Sequence, residues 1–237
     1  MKKIIDLKEL QYLELDILEE FHSICISNGF RYTLGGGTAL GAVRHGGFIP
    51  WDDDIDIGMP RPDYNNFIRY CKNNKTLFQL ICNETQPKYY DFYAKLINKH
   101  TVLKSSTVFT DIQLGVYIDV FPYDGLGDSI TEAKLNWYKS AFQRELLVAK
   151  KWSKFSLSKT HSLKYEPIRF MFFLLSRYVS EKRLFHSAMK KITCIDFDVS
   201  RYAGCVCGNY RLKEILPTEV YNSYSKIKFE GKDFFIL

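Results

Sequence analysis

Leu7, Leu10, Leu13, Ile17, Phe21 and Ile24 recur at three- and four-residue intervals with acidic residues between them, the pattern of an amphipathic helix over residues 7–27. Asn28-Gly29 supplies its stop. Residues 30–34 then read as a short strand, ended by Gly35, Gly36 and Gly37, and Thr38 is placed to cap a helix running to about Arg44. His45-Gly46-Gly47 turns the chain before residues 54–59 resume as a β-branched strand. Arg61-Pro62-Asp63-Tyr64 opens another helix, with Asp63 at its positive end. Residues 76–82 and 89–97 alternate as strands. Residues 116–121, VYIDVF, form an apolar strand broken by a single aspartate and terminated by Pro122-Tyr123-Asp124-Gly125. From residue 131 to about 191 the period is helical and the residues are basic, with a break around 153–167. These elements predict an α+β fold: a mixed β-sheet core flanked by helices over residues 1–128, then a mainly helical part over residues 129–237.

Composition refines this picture in three places. At 46% hydrophobic and 25% charged, the 237 residues hold enough apolar surface for a sizeable core, so disulfide staples are not needed. The six cysteines include no CxxC pair and are expected to be free thiols. The formal charge of +6 is uneven: residues 150–191 carry eleven Lys/Arg against Glu166 and Glu181. Such a stretch favours anionic partners or is simply a solvated helix face, and no nucleic-acid-binding module accompanies it. The N-terminal residues interleave charges too closely for a signal peptide. The apolar run at residues 170–175 is six long, against the ~20 that a membrane span requires. A cytoplasmic protein is expected, with peripheral contact at the inner membrane face as an option for the basic, aromatic segment 169–177. Burial of that segment in a helical lobe is the simpler expectation.

The chemistry concentrates in residues 35–59, GGGTALGAVRHGGFIPWDDDIDIGM. Two residues apart on an extended strand, Asp54 and Asp56 point the same way, roughly 6.5–7 Å apart at the backbone. A D-x-D pair so placed can hold Mg²⁺ (or Mn²⁺), which takes carboxylates together with substrate phosphate oxygens. Asp119, between Ile118 and Val120, is the same kind of group, an acid inside an apolar strand that calls for a partner. Three carboxylates on adjacent strands suit displacement at phosphorus. The run lacks the glycine and ligand spacing of a structural Ca²⁺ loop. Gly36, Gly37 and Thr38 let backbone N–H groups approach an anion at a helix start, in a pattern that is neither a P-loop nor a dinucleotide fingerprint. Arg44 suits a phosphate, His45 suits proton transfer or a structural contact, and Lys95 alternates onto a strand face from which it can meet a phosphate.

GGTALGAVRHGGFIPWDDDID at residues 36–56 strongly resembles the LicD family of phosphotransferases, distant relatives of which are the fukutin-type proteins. The resemblance continues through RPDY at 61–64, AKL at 94–96 and IDVFPYDG at 118–125. It implies a nucleotidyltransferase-like fold in which Gly36-Gly37 form the glycine turn and Asp54, Asp56 and Asp119 are catalytic and metal-holding. It further implies transfer of phosphocholine from CDP-choline, or of a related group from another CDP-alcohol such as CDP-ribitol, to a sugar hydroxyl with release of CMP. The implied acceptors are cell-surface glycans such as teichoic acid or lipopolysaccharide, carried on lipid. KFEGKDF at 228–234 resembles the start of the family's C-terminal block, whose continuation is expected to be lacking here. Two other readings share the same residues: a nucleotidyltransferase that transfers an NMP, and a non-catalytic nucleotide- or glycan-binding protein.

Overall fold

Asp6 opens the first helix, α1 (Leu7–Asn28), by accepting a hydrogen bond from the Glu9 N–H, and Gly29 closes it at φ 69°, a left-handed conformation that glycine adopts without strain. A computed structural model describes residues 6–103, 114–158, 163–208 and 210–237. After α1 come β1 (Thr33–Leu34), α2 (Gly36–His45), β2 (Asp56–Pro60), α3 (Arg61–Asn73), β3 (Phe78–Ile81), β4 (Ala94–Asn98) and β5 (Tyr117–Gly127). The chain continues through α4 (Ile130–Lys139), α5 (Ala141–Lys150), α6 (Glu166–Tyr178) and α7 (Glu181–Ile192), then β6 (Tyr202–Gly204), β7 (Leu216–Pro217), β8 (Ser225–Phe229) and β9 (Lys232–Ile236).

Among the described residues, seven strands form one sheet in the order β1-β2-β5-β4-β3, with β6 on the far half of β5 and β7 beside it. β2 and β5 run parallel, and the other pairs are antiparallel. The fold is therefore α+β with a mixed sheet, as the periodicity predicts. Alternation sorts the strands: Ile55, Ile57, Met59, Ala94, Leu96, Ile118 and Val120 are buried in one core with Leu18 and Phe21 of α1 and Phe67 of α3. The residues between them, Asp56, Lys95 and Asp119, take the other face.

Four expectations need correction. β2 begins at Asp56 rather than Asp54, since the three adjacent like charges of Asp52, Asp53 and Asp54 stay in the preceding loop instead of pairing. Gly35, not Thr38, is the N-cap of α2, and Thr38 lies buried inside the helix. β5 does not stop at Pro122. In parallel register Pro122 sits opposite Met59, and beyond it Asp124 and Gly125 pair with β6. Finally, α6 buries Glu166 and Ser176 and leaves most of its apolar residues outside.

The helical stretch ends at Ile192, and the β8–β9 hairpin returns to the first core, where Phe229 and Phe234 are buried. Its turn clasps the loop after α2: the Glu230 N–H donates to the Gly46 carbonyl at 2.8 Å, and Glu230 Oε1 accepts from the Phe48 N–H at 3.0 Å. All six cysteines are free, with the sulfurs of Cys205 and Cys207 3.6 Å apart. Among the described residues no helix is long and apolar enough to cross a membrane.

Candidate active site

Strand register sets the site. Asp56 on β2 is the partner of Asp119 on β5, and Asp119 is the partner of Lys95 on β4, so the three form one row across the sheet. Neighbouring strands are about 4.8 Å apart, which places each side chain within reach of the next. Lys95 Nζ donates to Asp119 Oδ1 at 2.6 Å, with both side chains buried, and lies 3.6 Å from the centroid of the Tyr117 ring. Burial pushes the Asp119 carboxyl up to about 6 against the pull of Lys95. Asp56 is pushed higher, to about 7, by burial and then by the charges of Asp54, Asp119 and Asp52.

The loop ahead of β2 adds a second group of acids. Asp52, Asp53 and Asp54 each bring a carboxylate oxygen within 4.8 Å of the other two. Burial and then Asp53 raise the Asp54 carboxyl, and burial with Asp54 and Asp53 raises that of Asp52. So many acids sharing one locality with Lys95 is a donor set suited to a divalent cation.

Gly36 and Gly37 are where they are because the carboxylates crowd them. A Cβ on Gly36 would lie 2.5 Å from Asp56 Oδ2, and one on Gly37 would lie 2.7 Å from Asp52 Oδ2. Gly36 also has φ 48°. The first turn of α2, with its unpaired N–H groups, thus faces Asp56 and Asp52 directly. The Gly35 N–H donates to the Asp56 carbonyl at 2.9 Å, and Thr38 Oγ1 accepts from the Asp56 N–H at 2.9 Å. Thr38 therefore fixes the position of Asp56 by its hydroxyl. Arg44 and His45 are exposed in the last turn of α2, roughly 12 Å along the helix from the glycines.

One acid escapes a reading from motifs. Glu14 on α1 is 2% exposed, and its Oε2 has no hydrogen-bond partner. Burial, then the charges of Asp54, Asp53, Asp52 and Asp119, push its carboxyl up to about 9. One turn earlier, Gln11 Nε2 donates to the Asp52 carbonyl at 2.9 Å, so this face of α1 packs on the aspartate loop. A signal is present in the sequence: Glu14 stands four residues after Leu10 and three before Ile17, inside the apolar stripe.

Beside Asp56, on the same face of the sheet, opens a cavity of about 230 Å³ lined in part by Gly36, Phe121, Tyr123, Lys213, Glu214 and Tyr221. The rings of Tyr123 and Tyr221 lie 4.5 Å apart, centroid to centroid. Aromatic walls next to carboxylates suit a ligand with a flat or cationic organic part joined to an anionic one.

Residues 29–165, more than half of the chain, match the family described as LicD/FKTN/FKRP, nucleotidyltransferase domain. The chain is 26% identical to the lipopolysaccharide cholinephosphotransferase LicD of Haemophilus influenzae, over all of this chain and 87% of that protein. It is 55% identical over 38 residues to the ribitol 5-phosphate transferase FKRP of Homo sapiens, which is 16% of this chain and 8% of that protein. An uncharacterized protein of Rickettsia typhi is 40% identical over 65 residues, 27% of this chain and 20% of that one.

Proposed function

The chain belongs to the LicD/FKTN/FKRP nucleotidyltransferase-domain family, and from that premise we propose that it transfers phosphocholine, or a related phospho-alcohol, from a CDP-alcohol to a hydroxyl of a cell-surface glycan, releasing CMP. The observation that carries the proposal is the row of Asp56, Asp119 and Lys95 beside an aromatic cavity. Similarity to a protein named for cholinephosphate transfer and to one named for ribitol 5-phosphate transfer supports the phospho-alcohol class.

The acceptor oxygen attacks the phosphorus that carries the alcohol. A new P–O bond forms, the bond to the CMP phosphate oxygen breaks, and CMP leaves with that electron pair. Asp54, Asp56 and Asp119 would hold Mg²⁺ or Mn²⁺, a reading supported by the charges of Asp54 and Asp119 that both act on the Asp56 carboxyl. When bound, the ion would supply positive charge against the donor's diphosphate. Asp119, mostly ionised at neutral pH with its carboxyl at about 6, helps take the proton of the acceptor hydroxyl. Lys95 holds Asp119 in place and offsets charge that accumulates on the transferred group. The N–H groups of Gly36 and Gly37 at the start of α2 offer donors to phosphate oxygens. The aromatic cavity takes the rest of the donor. Arg44 and His45, exposed in the last turn of α2, are placed for contact with an outer part of a bound substrate. The donor is drawn from the cytoplasm and the acceptor is carried on a lipid.

Asp54→Asn tests the assignment. Release of CMP from CDP-choline, CDP-ribitol and CDP-glycerol is followed with a glycan acceptor, with circular dichroism as a check on folding. Turnover is expected to fall at least about a hundredfold with the fold intact. Unchanged turnover, or pyrophosphate in place of CMP as the product, would overturn the proposal.

A further inference from the structure

Helix α6 is turned inside out. Its buried residues are Glu166 and Ser176, whereas Ile168, Phe170, Met171, Leu174, Leu175 and Tyr178 are between 40% and 90% exposed. On a helical projection at 100° per residue these six fall on one continuous side that includes no charged residue. Arg169 points the other way: it bonds Glu166 at 2.6 and 2.8 Å and lies 4.8 Å from the ring centroid of Trp152. Over 13 residues the apolar side is about 20 Å long. The neighbouring chain extends it, with exposed Leu157, Leu163 and Tyr165 on the approach to α6 and Phe142 on α5, whose ring lies 5.5 Å from that of Phe172.

We propose that this face of α6 docks on an anionic lipid surface, its apolar side chains entering the boundary between headgroups and acyl chains. A convex helical ridge has the shape for shallow insertion, with aromatic rings of Tyr165 and Tyr178 at its two ends where a polar tip meets an apolar body. Charge decides between a bilayer and a second copy of the chain. Lys154 and Lys164 are exposed on the approach to α6, and Lys182 and Arg183 are exposed just after it. Two copies placed face to face would bring these basic rims together, whereas anionic headgroups neutralise them. The inference does not depend on the catalytic assignment.

The test is co-sedimentation of the full chain with vesicles made of equal parts phosphatidylglycerol and phosphatidylcholine, and with vesicles of phosphatidylcholine alone. Pelleting is expected with the anionic vesicles, weakening as salt is raised. Met171→Asp with Leu175→Asp should lower vesicle affinity about tenfold or more. Lys154→Glu with Lys164→Glu should lower it several-fold at low salt only, while the apolar face stays intact. Circular dichroism and thermal melting confirm that each variant is folded. Three results would overturn the proposal: no pelleting of the wild type, pelleting unchanged by the aspartate pair, or a sedimenting dimer that the aspartate pair dissolves while vesicles capture nothing.

Discussion

Around the start of β2 and β5, Glu14 of α1 and Asp119 are buried and Asp56 is half-buried, whereas along α6 Phe170, Met171 and Leu175 are exposed to water. Both places run against the sorting that drives folding, in opposite directions. The carboxylates remain tolerable because Lys95 pairs with one of them and because Glu14 and Asp56 are pushed toward their neutral forms. The α6 face needs no such arrangement, since exposed apolar side chains forgo a gain without stranding a charge. Buried charge therefore strains the isolated fold, and exposed apolar surface does not. That difference predicts how each region responds to substitution.

The largest effect on stability is expected at the Lys95–Asp119 pair. Asp119→Ala leaves a buried ammonium without its partner and should destabilise the protein by about 3–5 kcal/mol. Chemical denaturation measures it, and adding Lys95→Met to the same protein should recover most of the loss. A small loss in Asp119→Ala would show that water reaches Lys95 and that the site is wetter than its burial indicates.

Next comes Glu14. Its folded carboxyl at about 9 lies above the ordinary 4.5, so the contribution of its neutral form is fully present below about 4.5 and is lost as pH rises through about 9. Asp56, at about 7, and Asp119, at about 6, have the same sign. In a metal chelator the melting temperature should therefore fall between pH 5 and pH 9. Glu14→Gln, which cannot ionise, should melt several degrees higher than the wild type at the alkaline end and flatten that part of the curve. A parallel decline in both proteins would remove Glu14 from the explanation.

The smallest effect belongs to α6. Met171→Asp with Leu175→Asp should change stability in solution by no more than about 0.5 kcal/mol per site, because neither side chain leaves a packed core. A loss of about 2–5 kcal/mol would mean that the face is packed against protein after all.

The regions also differ in what the sequence discloses. Alternation in VYIDVF and in residues 54–59 puts acids opposite the core, and strand pairing then turns Asp56 and Asp119 into neighbours. That part of the site was legible because it follows from a two-residue period and a motif. Glu14 was not, since an acid inside a helical stripe gains meaning only once the loop packed on it is known. Thr38 was misread for a related reason: a threonine near a helix start is a cap by its local chemistry, but the Asp56 N–H reaches its hydroxyl from another strand. β5 outruns its proline because β6, far along the chain, supplies pairing beyond it. For α6 the helical period carries no information about which side meets the body of the protein.

The clasp made by the β8–β9 hairpin has a consequence for how the molecule is born. A ribosome that has translated Asp119 has already produced Glu14, Asp52, Asp53, Asp54 and Asp56. Phe229 and Phe234, which complete the core behind that site, are still about a hundred codons away. Until they emerge, the core they share with α1 and β1 is incomplete, and the Leu237 N–H has yet to reach Thr33. Closure across so much intervening chain is slow compared with local helix formation. The nascent protein thus carries these carboxylates well before it has a finished place to hold them.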